Sequence, residues 1–133
     1  MPSKYSIHPD QNLIRQTLWG AVTATDLRNL AAATWADPTH RKKLDILADL
    51  RDAQLHIPYD QMVEYTQFLS GQSEIGRQAI VVSRQLEFGM ARMYEQLTEH
   101  RVLREGLRVF FSMEEAEKWL AQDRRDATKP PSS

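Results

Sequence analysis

Hydrophobic positions along the chain switch repeatedly between a period of two and a period near 3.6. Tyr5 and Ile7 alternate with polar neighbours, Pro9-Asp10-Gln11-Asn12 supplies turn chemistry, and Leu13 to Trp19 follows as a second strand. Residues 4–19 therefore read as an antiparallel hairpin, ended by Gly20. Thr23-Ala24-Thr25-Asp26 sets a hydroxyl and an acid at capping-box spacing before a helix with the stripe Leu27, Leu30, Ala31, Thr34 and Trp35. Asp37-Pro38 stops it, because the residue before proline is pushed out of the helical region.

Leu44 to Leu50 reads as a compact third strand, and Pro58 suits the first turn of a second helix. Tyr59, Met62, Val63, Thr66 and Leu69 form that helix's stripe, and Gly71 closes it. Ala79-Ile80-Val81-Val82 is a continuous apolar run, the mark of a strand covered on both faces. Ser83 stands as the cap of a helix to about His100, with Leu86, Met90, Met93 and Leu97 as its inner face. Leu107 to Phe111 gives a fifth strand, and Ser112-Met113-Glu114-Glu115 is a capping box before a helix that faces Met113, Ala116 and Leu120 inward. Residues 1–121 read as one domain and 122–133 as a flexible polar tail without apolar period. The order β-β-α-β-α-β-α-β-α predicts an α/β fold: a five-stranded, mostly parallel sheet with an N-terminal antiparallel hairpin and four helices.

Composition narrows the function. Over 133 residues, 17 basic and 18 acidic side chains leave a net charge of −1, so no basic excess exists to neutralise a phosphate backbone and nucleic acid is not expected as a partner. Zero cysteines exclude disulfides, thiolate zinc sites and cysteine nucleophiles. No apolar run approaches the ~20 residues that span a bilayer, and Met1-Pro2-Ser3-Lys4-Tyr5 lacks a signal peptide's apolar stretch, so the expected location is cytoplasmic. His8, His40, His56 and His100 are scattered without metal-ligand spacing, the glycines form no phosphate loop, and no Gly-x-Ser-x-Gly elbow is present. Asp49 near a strand end could suggest a phosphoacceptor, but neither acidic metal ligands after Trp19-Gly20-Ala21 nor a lysine after Phe110-Phe111-Ser112 accompanies it. No catalytic residue, metal or cofactor is predicted; the expectation is a non-enzymatic module.

Several segments carry a resemblance. They are Gly20-Ala21-Val22-Thr23, Leu47-Ala48-Asp49-Leu50-Arg51, Arg77-Gln78-Ala79-Ile80-Val81, Phe88-Gly89-Met90-Ala91-Arg92-Met93-Tyr94, Val109-Phe110, and Glu115-Ala116 with Trp119-Leu120. In this order and spacing, over residues 4–121, the chain resembles the SpoIIAA-like group, bacterial relatives of the STAS anti-sigma-factor antagonists that share fold features with CRAL-TRIO lipid-binding domains. The resemblance implies the same α/β fold, and with it ligand binding and membrane association. STAS antagonists switch by phosphorylation of a serine or threonine where the third strand meets the second helix. Here Asp49-Leu50-Arg51-Asp52-Ala53-Gln54-Leu55-His56-Ile57-Pro58 contains no hydroxyl.

Open parallel sheets bind ligands beyond the carboxyl ends of their strands. That edge is expected to hold Thr23, Thr25, Asp49 to Asp52, Ser83 to Gln85 and Ser112, where Arg51, Arg84 and helix N-termini would attract an anion. Helix capping by Thr23, Ser83 and Ser112, and pairing of Asp49 or Asp52 with the arginines, are the competing structural roles. A second set is apolar: Tyr65 and Phe68 off the second helix's stripe, Ile75 beyond it, and Phe88 and Tyr94 off the third helix's stripe, with Gly89 allowing close approach. These would line a groove for an acyl chain or a partner's helix, or pack as ordinary core. The expected ligand-binding set is thus Arg51, Asp52, Ser83, Arg84, Tyr65, Phe68, Phe88 and Tyr94, for a small amphipathic or anionic ligand. The alternative is a STAS-type regulator gripping a protein partner by the same edge; the same apolar residues would also serve a homodimer. His40-Arg41-Lys42-Lys43 would add only weak contact with anionic lipid, at ~1 kcal/mol per basic side chain.

Overall fold

The computed structural model describes residues 3–41, 43–70, 76–98 and 106–122. Gly71, Ile75, Lys42, His100 and the tail from residue 123 lie outside them. The elements run β1 (Ser3–His8), β2 (Leu13–Val22), α1 (Ala24–Ala36), β3 (Asp45–Leu55), α2 (Tyr59–Ser70), β4 (Gln78–Val81), α3 (Gln85–Thr98), β5 (Leu107–Phe110) and α4 (Met113–Ala121). The five strands form one sheet in the order β1-β2-β3-β4-β5, with β1 antiparallel to β2 and every other pairing parallel. The expected α/β architecture is the one observed.

Strand order equal to chain order has a geometric consequence. Right-handed crossovers that all step in one direction place their helices on one face of the sheet. Accordingly α1, α2 and α3 bury Leu30, Met62 and Ala91 together against Leu18, Ala48 and Ile80. On the other face, α4 buries Ala116 against Leu47, Ala79 and Val81. The uninterrupted run from Ala79 to Val82 is buried throughout, as a strand covered on both sides must be.

Two strands are longer than their alternation suggests. β2 runs past Gly20 to Val22, and β3 past Leu50 to Leu55. Between them the register moves from Thr17↔Asp49 to Trp19↔Asp52, so β3 carries one extra residue. This bulge shifts the buried phase from Leu50 to Ala53 and disguises the second half of the strand as a loop. The amide freed there is retained: Arg51 N donates to Asp49 Oδ1 at 3.1 Å. Gly20 opposite sits at φ +67°, a conformation open to glycine. Arg51 and Asp52 therefore lie within a strand, not in a strand-end loop.

The helix ends and faces also refine the reading. Thr23 and Asp26 form a complete capping box, and Ser112 Oγ accepts from Glu115 N at 3.2 Å. Ser83, expected as a cap, instead donates its hydroxyl to the Arg51 carbonyl at 2.6 Å and joins the end of β4 to the bulge. On α3 the buried residues are Glu87, Ala91, Tyr94 and Thr98, while Leu86 and Met93 of the expected inner stripe are 65% and 37% exposed. A carboxylate sets this rotation: Glu87 Oε2 accepts from Leu55 N at 3.2 Å and Oε1 from Arg84 Nε at 2.7 Å. On α2, Tyr59 is exposed, whereas Tyr65 and Phe68 pack against the core. Phe111 lies beyond β5, exposed and stacked on Phe88 with centroids 4.6 Å apart.

The amino ends of β3 and β4 are tied by one buried ion pair. Asp45 Oδ2 accepts from Arg77 Nη2 at 3.0 Å, and Asp45 Oδ1 from Arg77 N at 2.9 Å. The same guanidinium donates to the carbonyls of Trp119 and Leu120, closing the last turn of α4. Removing one partner of such a pair strands a buried charge, at a cost of about 3–5 kcal/mol. Arg77→Ala should lower unfolding free energy in urea by that amount, while Lys118→Ala, which breaks an exposed pair with Glu114, should cost less than about 0.5 kcal/mol. Equal effects would contradict the role given to Arg77.

Candidate functional site

Between the sheet and α1–α3 lies a cavity of about 70 Å³. Its floor is the helix-facing phase of three strands: Gln16 and Leu18 of β2, Ala48 and Leu50 of β3, and Gln78 and Ile80 of β4. Its roof includes Leu27, Leu30 and Ala31 of α1, Met62 and Tyr65 of α2, and Met90, Ala91 and Tyr94 of α3. A smaller lobe of about 30 Å³ shares Gln16, Ala31, Tyr65, Gln78 and Tyr94 and adds Thr34, Trp35, Ile46 and Leu69. The space follows from side-chain size, since Ala31, Ala48 and Ala91 sit where larger residues would close the layer.

Four polar groups interrupt this apolar lining. Gln16 is in register with Ala48, and Gln78 with Ile46, so the two amides flank β3 from opposite sides. Tyr94 donates to Gln78 Oε1 at 3.4 Å, a long and weak bond. Gln16, Gln78 and Tyr65 are half-buried, and among the described residues no hydrogen bond holds the Gln16 amide or the Tyr65 hydroxyl, both of which water can still reach. Burial pushes both phenols up, Tyr94 further through its neighbour Tyr65, so both stay protonated. The Tyr65 ring lies 6.0 Å from Tyr94 and 6.2 Å from Phe68, and Phe68 lies 5.8 Å from Trp35, an aromatic row across the lobes. No lining residue of either lobe carries a charge.

The eight residues expected as one site fall in three places. Tyr65 and Tyr94 line the cavity, and Phe68 backs Tyr65. Phe88 lies apart, against Phe111. Arg51, Asp52, Ser83 and Arg84 are all exposed and line neither lobe. Each of these arginines already holds a carboxylate: Arg51 grips Asp49 with two bonds of 2.9 Å, and Arg84 grips Glu87 at 2.7 Å. Those bonds hold the Asp49 and Glu87 carboxyls below the usual range. Sequence reasoning missed Gln16 and Gln78; their signal was a glutamine in the inward phase of Ile14-x-Gln16-x-Leu18 and Gln78-x-Ile80-x-Val82.

A second depression of about 150 Å³, near Asn12, Asp45 and α4, is lined by charges that answer one another, with Arg15 3.7 Å from Glu117 and Asp45 held by Arg77. Among the described residues no three His, Asp or Glu side chains converge for a metal ion, and no helix is long and apolar enough to cross a membrane.

A family model described as SpoIIAA-like matches residues 13–121. The chain belongs to the SpoIIAA-like family. Among solved structures it is similar to an uncharacterised protein from the DUF3478 family with a SpoIIAA-like fold, from Shewanella loihica PV-4. The TM-score is 0.59 at 16% identity, over 90% of this chain and 94% of that one, a likeness of fold. No curated protein matches the chain. In this SpoIIAA-like domain the junction of the third strand and second helix is His56-Ile57-Pro58, which offers no hydroxyl for a phospho-switch.

Glu87 gives the site's roof a pH dependence. Its carboxyl is depressed in the folded chain, chiefly by the Arg84 hydrogen bond and then by the Leu55 amide. Its contribution is therefore complete above the unfolded value, about 4.3 for glutamate, and is lost as pH falls through the folded value. Glu87→Gln should flatten the decline of the urea midpoint between about pH 5 and pH 3. Parallel declines in the two proteins would refute this assignment.

Proposed function

We propose that this SpoIIAA-like protein is a non-enzymatic binding module that takes a small amphipathic ligand into the cavity beneath α1, α2 and α3. One observation carries the reading: a mostly apolar cavity brings the polar groups of Gln16, Gln78, Tyr65 and Tyr94 together on its lining. A pocket that is mostly apolar with a few convergent polar groups is the usual form of a small-molecule site. Binding is favoured over turnover by the lining itself, which holds no serine, histidine, carboxylate or lysine to act as nucleophile or proton shuttle. The SpoIIAA-like fold supports a regulatory or interaction role.

A ligand here would contact Met90, Ala91 and Tyr94, and so bear directly on α3. The same helix turns Leu86 and Met93, seven residues apart and hence on one face, toward solvent. That pair favours a second reading, in which a protein partner docks on α3 in the manner of STAS antagonists without phosphorylation. The two combine naturally, the ligand biasing the helix that the partner reads.

The size of the cavity bounds its occupant. About 70 Å³ is less than half of the ~150 Å³ engineered cavity that admits benzene, so a long acyl chain would require α2 and α3 to part. Native mass spectrometry after mild purification should reveal a retained small molecule, missing from an Ala48→Leu variant that fills the floor. A bare chain mass, together with no shift of the Leu18 or Ile80 methyl resonances under xenon, would overturn the reading.

A further inference from the structure

Resting on the cavity reading above, we infer that the site selects uncharged molecules of a few heavy atoms that join a short apolar body to one carbonyl, amide or hydroxyl group. The polar groups are arranged as a belt: Gln16 and Gln78 stand two strands apart, about 10 Å at ordinary strand spacing, with Ala48 and Ile46 of β3 between them. Tyr65 and Tyr94 face them from the helices. An amide side chain both donates and accepts, and so does a phenol. Such a belt can complete the hydrogen bonds of a neutral group presented in either sense.

It cannot neutralise an ion. A charge brought into an apolar cavity needs a counter-charge or a full set of hydrogen bonds, and no side chain lining either lobe is ionised. The phenols cannot supply a negative charge near neutrality, because burial raises both. Nor do the strand-end arginines serve a carboxylate. Arg51 and Arg84 line neither lobe, and each is held by a carboxylate of its own chain. The anionic head group that a strand-end arginine site would favour is thus disfavoured by the cavity.

Four probes small enough for the cavity separate the possibilities at pH 7: ethanol, acetamide, acetate and ethylammonium. Each is titrated into the full-length protein, following cavity methyl resonances by NMR. The two neutral probes should bind at least tenfold more tightly than either ion. Tyr65→Phe, which keeps the ring and removes the hydroxyl, should weaken acetamide about fivefold, the worth of one neutral hydrogen bond, and leave xenon uptake unchanged. Equal or tighter binding of acetate or ethylammonium would overturn the selection of neutral molecules while leaving a ligand cavity in place. Failure of all four probes, with xenon excluded as well, would remove the cavity reading itself. An unchanged acetamide affinity in Tyr65→Phe would overturn the polar belt.

Discussion

Placing an amide or a phenol in an apolar layer without a partner costs about 1–3 kcal/mol, judged from protein mutational data. The helix-covered face of this sheet eases that cost for four amides and phenols: Gln16, Gln78 and Tyr65 are only half-buried, and Tyr94 bonds Gln78, weakly. A layer built for stability alone would place aliphatic side chains there, as it does at Leu18, Leu50 and Ile80. Thr34, Glu87 and Thr98 are polar and buried under the same helices, but each is held by hydrogen bonds to the backbone. The three alanines beside the amides and phenols, Ala31, Ala48 and Ala91, leave the space that those four groups line.

The rest of the structure keeps that layer in place. Crossovers that always step the same way stack α1, α2 and α3 on one face and leave only α4 on the other. Asp45 and Arg77 bind the amino ends of β3 and β4 to the last turn of α4, so the sheet is anchored from the face opposite the cavity. At the carboxyl end Glu87 links the final residue of β3 to the first turn of α3 and fixes which side of that helix looks inward. The charged residues that a sequence reader would assign to anion binding are thus fasteners. Asp49 holds the bulge, and Glu87 sets the roof.

How far the sequence could be read depended on whether a residue's type matched its surroundings. The run Ala79 to Val82, the Thr23–Asp26 box and the α1 stripe each obey one period and one capping rule, and each is found where those rules put it. The order of elements followed from them. Where a polar residue goes inward, periodicity misleads: Leu86 and Met93 form a regular stripe, yet the buried positions beside them are Glu87 and Tyr94. A bulge does similar damage, because one extra residue after Asp49 reverses the alternation and makes Arg51 to Leu55 look like a loop. Tyr65 and Tyr94 were legible as candidates because aromatics off a stripe need a reason. Gln16 and Gln78 were legible only by asking why a buried phase should contain an amide.

The most direct measure of this account is the stability of Gln16→Leu. If the Gln16 amide is held in the apolar layer for binding, its replacement by an aliphatic group of similar size should stabilise the protein by about 1 kcal/mol, as substitutions that relieve a functional site commonly do. The urea midpoint should rise with an unchanged slope. A midpoint that falls would show that Gln16 supports the fold, and the central claim would be wrong.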